Sequence, residues 1–453
     1  MPLVATRSNA GAVGLGWGAA AAGFPLAYYQ GVFDNPSNTR GRNHATAPDG
    51  GTVLVGLDYG TSPQRGYIVW TDSYGALLDA KHLYNASALT ETSCCVYDDD
   101  GNLYVSGWTS TRCFIVKFDT DRNIVWQRYL SQSQGSVVPN DIQISPDGYV
   151  YICGKGNWPF TSGGGGQFIA KYSTAGTLQW YKIGGNTYEE FTAMSFNPSG
   201  DIYLTTYNGY GSFSGWQKWT SAGAVYYQKR MNQNQIYFYG CAYDSNSGSF
   251  FVAGNDSTSG ASCAVMKIQD STGAVAASGK LTTDYLMYGY NVKVGTDGYI
   301  YVSAKNTVNA DPYAGSNWYL HWSKWNSNLA LQLQRETNYN PSGGNYFNGV
   351  GNYKIQMDAT DNVYLSAYGQ WASKSTSDCH VFYKAPNDGS LTGNYTLWSN
   401  TINYRAGNAS ASTVAYNASS NTSITWAYSL SSGTDSLTLA SLTPSDFYSV
   451  EMV

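Results

Sequence analysis

Four groupings in this chain could do chemistry by residue type and spacing, and each is short of a complete set. His44, His82, His321 and His380 are scattered, with neither His-x-His nor His-Glu-x-x-His spacing, so no zinc site is expected. Asp98-Asp99-Asp100-Gly101 has the carboxylates of a calcium loop but lacks the later acidic ligands of an EF-hand, and it reads as a turn. Gly163 to Gly166 has no following Lys-Ser/Thr and opens no helix, so it is not a phosphate loop. Glu189-Glu190 offers two carboxylates, but sequence neighbours rarely flank one sugar from two sides as glycoside hydrolysis requires. Acids and bases on separate strands could still converge at a common centre, which linear order leaves open. No catalytic residue, metal or cofactor is assigned, and the chain is read as a non-enzyme.

What remains is a binding chemistry. Segments rich in Asn, Ser and Gly carry Trp158, Phe160, Tyr207, Tyr210, Phe213, Tyr313, Tyr339, Tyr346, Phe347, Tyr368 and Trp371. Tyr supplies contact area at low entropic cost, and Ser, Gly and Asn supply adaptable hydrogen bonds, as in antibody combining sites. Flat aromatic faces beside amides also suit sugar rings, which present C–H faces and hydroxyl rims. As a set these residues are the expected ligand-binding positions.

The elements that position them follow from a repeat. Gly101-Asn102-Leu103-Tyr104-Val105-Ser106-Gly107 and Gly148-Tyr149-Val150-Tyr151-Ile152-Cys153-Gly154 are its fullest copies. Aligning Leu54, Tyr104, Tyr151, Tyr203, Phe251, Tyr301, Tyr364 and Thr425 gives spacings of 50, 47, 52, 48, 50, 63 and 61. A period near 40–50 residues with short strands reads as a β-propeller, and eight copies predict eight four-stranded antiparallel blades. In the third blade, Asp141–Ile144, Tyr149–Cys153, Phe168–Tyr172 and Leu178–Ile183 are the strands, and Ser145-Pro146-Asp147-Gly148 is the turn between the first two. The Lys recurring in third strands, as at Lys117 and Lys171, reads as a solvated residue protecting the blade rim.

An eighth blade is expected from Thr413–Tyr416, Ser423–Tyr428 and Ser436–Leu442. Its outer strand would be the N-terminal Pro25–Gln30, in preference to Phe447–Val450, so that pairing of the two chain ends closes the ring. The predicted organisation is a leader over 1–23, the propeller over 24–446 and a tail over 447–453. Antiparallel strands send alternate connections to opposite faces of the disc. The long ones, Gly154–Gly166, Thr205–Gly215, Lys305–Asn317, Thr337–Asn352 and Ala367–Asp378, all fall on one of them. That face carries the aromatic set, and long loops are often functional.

Composition narrows the partners. Charged residues are only 12%, about half the usual share of roughly 25%, and the 40 Tyr dominate the aromatics. A net charge of −5 without a basic run argues against nucleic acid, and no stretch reads as a membrane span. Seven Cys, an odd number, fall in or beside predicted strands and read as buried free thiols of a protein folded in a reducing compartment. Residues 10–27 are Gly/Ala-rich and weakly apolar and read as an extension, not a cleaved signal.

Two stretches resemble a known family. Asp100–Gly107, Phe114–Asp119 and Ile124–Arg128 resemble bacterial and viral propeller repeats. Arg7-Ser8-Asn9-Ala10-Gly11-Ala12-Val13-Gly14-Leu15-Gly16-Trp17-Gly18 is similar to the opening of tail-fibre or virion structural proteins of marine tailed bacteriophages. The resemblance implies a virion protein, assembled in host cytoplasm and present in multiple copies. Its leader (Arg7, Ser8, Asn9 and Trp17) would hold it to other virion proteins, and its long-loop face would meet a host-surface glycan or receptor. A purely structural role, binding only other virion proteins, is the nearest rival. Outer-strand Trp, as in Gly176-Thr177-Leu178-Gln179-Trp180, also resembles the quinone-dependent dehydrogenases, whose calcium-binding acidic cluster has no match here.

Overall fold

The computed structural model describes residues 28–34, 39–110, 112–131, 136–157, 165–184, 189–208, 214–231, 235–258, 260–284, 286–307, 318–339, 354–370, 378–397 and 400–416. Towards the C-terminus it adds 418–420, 431–433, 438–441 and 446–452. These residues form seven antiparallel sheets, the blades of a propeller. Blade 1 comprises Thr39–Thr46, Thr52–Asp58, Arg65–Thr71 and Leu77–Tyr84. Blade 2 comprises Thr90–Tyr97, Leu103–Thr109, Arg112–Phe118 and Ile124–Ser131, and blade 3 comprises Val137–Ile144, Val150–Asn157, Gly165–Tyr172 and Leu178–Gly184. Blade 4 runs Glu189–Phe196, Ile202–Asn208, Gly215–Trp219 and Val225–Met231, and blade 5 runs Ile236–Asp244, Ser249–Asp256, Ser262–Gln269 and Val275–Thr282. Blade 6 is Met287–Val294, Ile300–Thr307, Trp318–Trp325 and Leu331–Tyr339. Blade 7 takes Lys354–Met357, Val363–Gln370 and Asp378–Ala385, with Tyr28–Asp34 in fourth place against Asp378–Ala385.

The count of eight is therefore corrected to seven. Thr413–Tyr416, expected as a first strand, has no strand structure; instead Tyr416 is buried among Phe238, Met266 and Tyr227 of blades 4 and 5. The copy around Thr425 lies outside the described residues. Without an eighth sheet, the closure expected through it falls as well. The reason is compositional: Ser, Thr, Asn and Ala make up most of this stretch, and it has no Asp-Gly turn between paired apolar strands. It does something else. From blade 6 onwards the C-terminal segment lays short strands along the outer edges of the blades, in reverse order. Asn400–Ala406 pairs with blade 6, Ser410–Ser412 with blade 5, Ala418–Ser420 with blade 4, and Ser431–Gly433 with blade 2. Thr438–Ser441 then pairs with blade 1 and Asp446–Met452 with Tyr28–Asp34 of blade 7. Open strand edges that would recruit other chains are thereby occupied.

Within the blades, the first-to-second and third-to-fourth connections are tight. Gly148 donates to Ser145 O at 2.8 Å and Ser145 N to Tyr149 O at 2.9 Å. Gly148 adopts φ 79°, where a side chain would be strained. Second strands are buried throughout in blades 1 and 5 (Thr52–Asp58 and Ser249–Asp256), because neighbouring blades cover both their faces.

The recurrent Lys is not a solvated rim residue. Lys171, Lys218 and Lys384 are buried, and each reaches an Asp in a tight turn. Lys324 Nζ lies 2.8 Å from Asp297 Oδ2, to which Tyr301 also donates at 2.7 Å, and it sits 5.3 Å above the Tyr301 ring. The same Tyr–Asp–Lys clamp recurs as Tyr104–Asp98–Lys117 and Tyr364–Asp358–Lys384. In blade 4, Lys218 pairs with Asp201 at 3.2 Å and Asp270 at 2.6 Å. Burial alone would raise the Asp297 carboxyl, but Lys324 and Tyr301 outweigh it and hold the group below the ordinary carboxylate range. Asp98 is thus a clamp residue of an ordinary turn, as its sequence setting suggests. All seven Cys are free and buried, and Cys94 and Cys95 face different core clusters.

Blade 1 meets blade 7 across two imidazoles. His44 Nδ1 lies 2.7 Å from Ser366 Oγ, and His380 Nδ1 lies 2.9 Å from the Tyr67 hydroxyl. Gly41 is pressed on the His380 ring, where a Cβ would come within 2.4 Å. Burial lowers both imidazoles from 6.5 to about 3. In the unfolded chain they bind protons near pH 6.5; in the fold they do so only near 3. The unfolded state therefore holds more protons in between, and stability is full above that window and declines as pH falls through it. Each imidazole costs roughly 1.4 kcal/mol per pH unit across the window. Urea unfolding between pH 7 and 4 is expected to show this loss, and His44→Gln with His380→Gln to flatten the slope.

Candidate functional site

Inner strands of all seven blades line a narrow central channel. Its walls include Asn43, Asp141, Gln143, Asn291, Lys293 and Lys354, a polar set of one acid and two bases. Asp141 is structural there: its carboxylate accepts from Ile142 N at 3.0 Å and, across to blade 4, from Met194 N at 2.9 Å. Burial lowers the Lys293 ammonium below its usual range, an effect that nearby Asp141 opposes.

Six inner strands carry a bulge at the same height. The register shifts lie at Gly41/Asn43, Thr92/Cys94, Pro139/Asp141, Phe191/Ala193, Phe238/Gly240 and Gly289/Asn291. A bulge adds one residue to the strand and re-aims its side chain. The skipped residues are Arg42, Ser93, Asn140, Thr192, Tyr239 and Tyr290, which makes a ring around one mouth of the channel. It is the mouth opposite the tight turns.

The ring has a polar and an aromatic sector. Arg42 Nε pairs with Glu91 at 2.7 Å. Asn140 donates to Phe191 O at 2.8 Å and to Glu190 at 3.4 Å, and Lys155 Nζ stands 3.6 Å from the same carboxylate. Glu189 turns away and accepts from buried Gln167 at 3.2 Å, so the two neighbouring glutamates do not share a site. Beside Glu190 begins a chain of rings: Tyr207 meets Tyr237 edge-on at 5.3 Å and Tyr239 at 5.8 Å, and Tyr239 stacks on Tyr290 at 5.9 Å. Burial, then Glu190 and Tyr237, raise the Tyr207 hydroxyl above its usual range. Burial, then Tyr207, Tyr290 and Glu190, likewise raise the Tyr239 hydroxyl above its usual range.

Of the expected ligand-binding residues, Tyr207 stands in this cluster. Trp158, Phe160, Tyr210, Phe213, Tyr313, Tyr346, Phe347 and Trp371 lie outside the described residues. The Tyr339 and Tyr368 backbones are strand, and their side chains are outside the description. Arg7, Ser8, Asn9 and Trp17 also lie outside it. Second strands run to Asn157, Asn208, Thr307 and Gln370, further into the expected loops than the sequence suggested. Tyr237, Tyr239 and Tyr290 were missed because they sit on inner strands; Tyr-rich Tyr237-Phe238-Tyr239 and Tyr288-Gly289-Tyr290 were the available signal.

No protein-family model matches the chain, and no curated protein matches it either. Among solved structures it is similar to a fungal alcohol oxidase of the AA5 family in complex with copper. That pair is 12% identical over 82% of this chain and 78% of the other, with TM-score 0.48. It is also similar to a Lactobacillus plantarum protein, 12% identical over 78% and 98% of the two chains, with TM-score 0.43. A third is the phage phi92 endosialidase, 10% identical over 81% and 71%, with TM-score 0.40. None of these likenesses bears on activity or partner.

A buried lysine also stands on blade 6 near the aromatic sector. Lys305 lies 5.7 Å from the Tyr288 ring centroid, and burial lowers its ammonium to about 7. NMR titration of its ε-methylene is expected to give a midpoint near neutrality, against about 10.4 for a solvated lysine; a midpoint above 9 would show the group to be hydrated.

Proposed function

We propose that this protein is a non-enzymatic recognition propeller of a tailed-phage particle. In this reading the channel mouth opposite the tight turns binds a carbohydrate on the host surface. What supports it is the row of Tyr207, Tyr237, Tyr239 and Tyr290 beside Glu190 and Asn140. Apolar ring faces stack on sugar C–H faces, and the adjoining carboxylate and amide suit hydroxyl rims. The phage assignment draws on the leader and repeat resemblance. Residues 1–23 would attach each copy to neighbouring virion proteins.

Alanine at both Tyr207 and Tyr239 is expected to weaken binding to surface polysaccharide of susceptible cells at least about tenfold, measured below the variant's own unfolding midpoint, which loss of two packed rings lowers. Undiminished binding by that folded variant would overturn the mouth as the site. For the attachment, particles assembled with a chain lacking residues 1–23 are expected to contain none of it; normal occupancy refutes the anchor.

A further inference from the structure

Blades 1 and 2 place arginines over tyrosine rings on the face opposite the tight turns. Arg40 stands 5.0 Å from the Tyr59 ring centroid, Arg65 4.2 Å from that of Tyr84, and Arg112 4.6 Å from that of Tyr129. Arg65 and Arg112 open the third strands of their blades, and Tyr84 and Tyr129 stand at the far ends of the outer strands. The same device is thus built twice, one blade apart. Antiparallel order puts all four residues on the face of the channel mouth, across the ring from Tyr239 and Tyr290.

Other guanidiniums in the chain are spent on structure. Arg128 Nε donates to Gly176 O at 2.8 Å, Arg335 Nε to Gly389 O at 2.6 Å, and Arg405 Nε to Glu336 at 2.7 Å. Arg65 and Arg112 have no such acceptor among the described residues, and the Arg65 Nε is buried without one. Two acids lie in the same sector, and both are engaged. Asp58, opposite Arg65 in the ladder, lies 2.9 Å from His82 Nε2 and accepts from Gly60 N at 2.8 Å. Glu91 holds Arg42 at 2.7 Å. Arg40, Arg42, Arg65 and Arg112 therefore outnumber the acids here, in a chain whose net charge is −5.

We infer that Arg65 and Arg112 bind carboxylates on separate units of one acidic polysaccharide chain. The inference rests on the carbohydrate reading above and names the class of glycan. A guanidinium over a ring gives its face to the aromatic and keeps its edge, where the N–H donors lie, for a carboxylate. Such a pair is charge-assisted and can be bidentate. Contact with the ring also holds the side chain beforehand, which lowers the ordering cost of binding. Packed sheets stand about 10 Å apart, so the two positions suit an extended polymer with repeated charges and not one small anion. The connections beside them are short, residues 59–64 in blade 1 and 110–111 in blade 2. The tyrosine row of blades 4 to 6 would take sugar faces, and the arginines would select their charge.

The test compares binding of the full chain to surface polysaccharide of susceptible cells in two forms, native and with its carboxyl groups reduced to alcohols. Reduction is expected to weaken binding at least about tenfold, since it removes charge-assisted hydrogen bonds. Arg65→Gln with Arg112→Gln should bring native binding down to the level of the reduced polymer and leave binding of the reduced polymer unchanged. Tyr207→Ala with Tyr239→Ala should weaken both forms alike. Equal affinity for the two forms, or undiminished native binding by the folded Gln pair, overturns the assignment and leaves the carbohydrate reading standing. Failure of the unaltered chain to bind either form overturns both. If the Gln pair does not fold, Arg112→Gln alone, at an exposed residue, decides, and unaltered native affinity then overturns the assignment.

Discussion

A sheet whose two faces are both apolar is stable only between neighbours, and in this molecule that requirement governs everything else. Each blade is covered by the blade before and the blade after it. Second strands such as Thr52–Asp58 are consequently buried on both faces, whereas the outer strand Val225–Met231 is half exposed. Contact between blades is fixed by pairs, Trp126 with Gly176 or Ala277 with Leu329, in which one partner's bulk matches the other's absence. Interiors pack near crystal density, so such pairs set spacing as well as stability.

Polar groups in this packed ring serve the same end. With few charged residues available, the chain places many of them in clamps. The lysine of a third strand neutralises the aspartate of a turn while lying on the tyrosine of a second strand, as in Lys324, Asp297 and Tyr301. A buried charge is tolerable only when paired and hydrogen-bonded, and the aromatic face adds a further contact. The tight-turn face is rigidified by these clamps. The opposite mouth, where bulges re-aim Tyr239 and Tyr290, is where the chain brings aromatic side chains together. The two faces thus divide scaffold from display.

The perimeter shows a different solution to an old constraint. Outer strands present unpaired backbone groups, and a disc has one such edge per blade. Here a single C-terminal segment covers the edges of blades 6, 5, 4, 2, 1 and 7 in turn. Three-residue strands suffice because each needs to occupy an edge, not to build a core. Small Ser, Ala and Thr side chains suit that position, and Tyr416 pins the segment by donating to Asp256 at 2.9 Å.

The sequence by itself determined the blade. The alternation in Asp141–Ile144, the Ser145–Gly148 turn and the aromatic at Tyr151 specify a hairpin through local sterics and side-chain periodicity, and those act between near neighbours. Blade number was decided only by the tertiary structure. The Thr425 match and the Ser/Thr-rich strands around it look like a weak eighth repeat, yet whether such a segment forms a sheet or lies on other sheets depends on area it buries against distant residues. The same holds for the proposed binding positions. Tyr207 was legible as a loop aromatic, but its meeting with Tyr239 and Tyr290 requires three blades to converge on one axis. Lys81 of blade 1 donates to Arg122 O of blade 2 at 3.0 Å, a contact between residues that become neighbours only when two sheets pack.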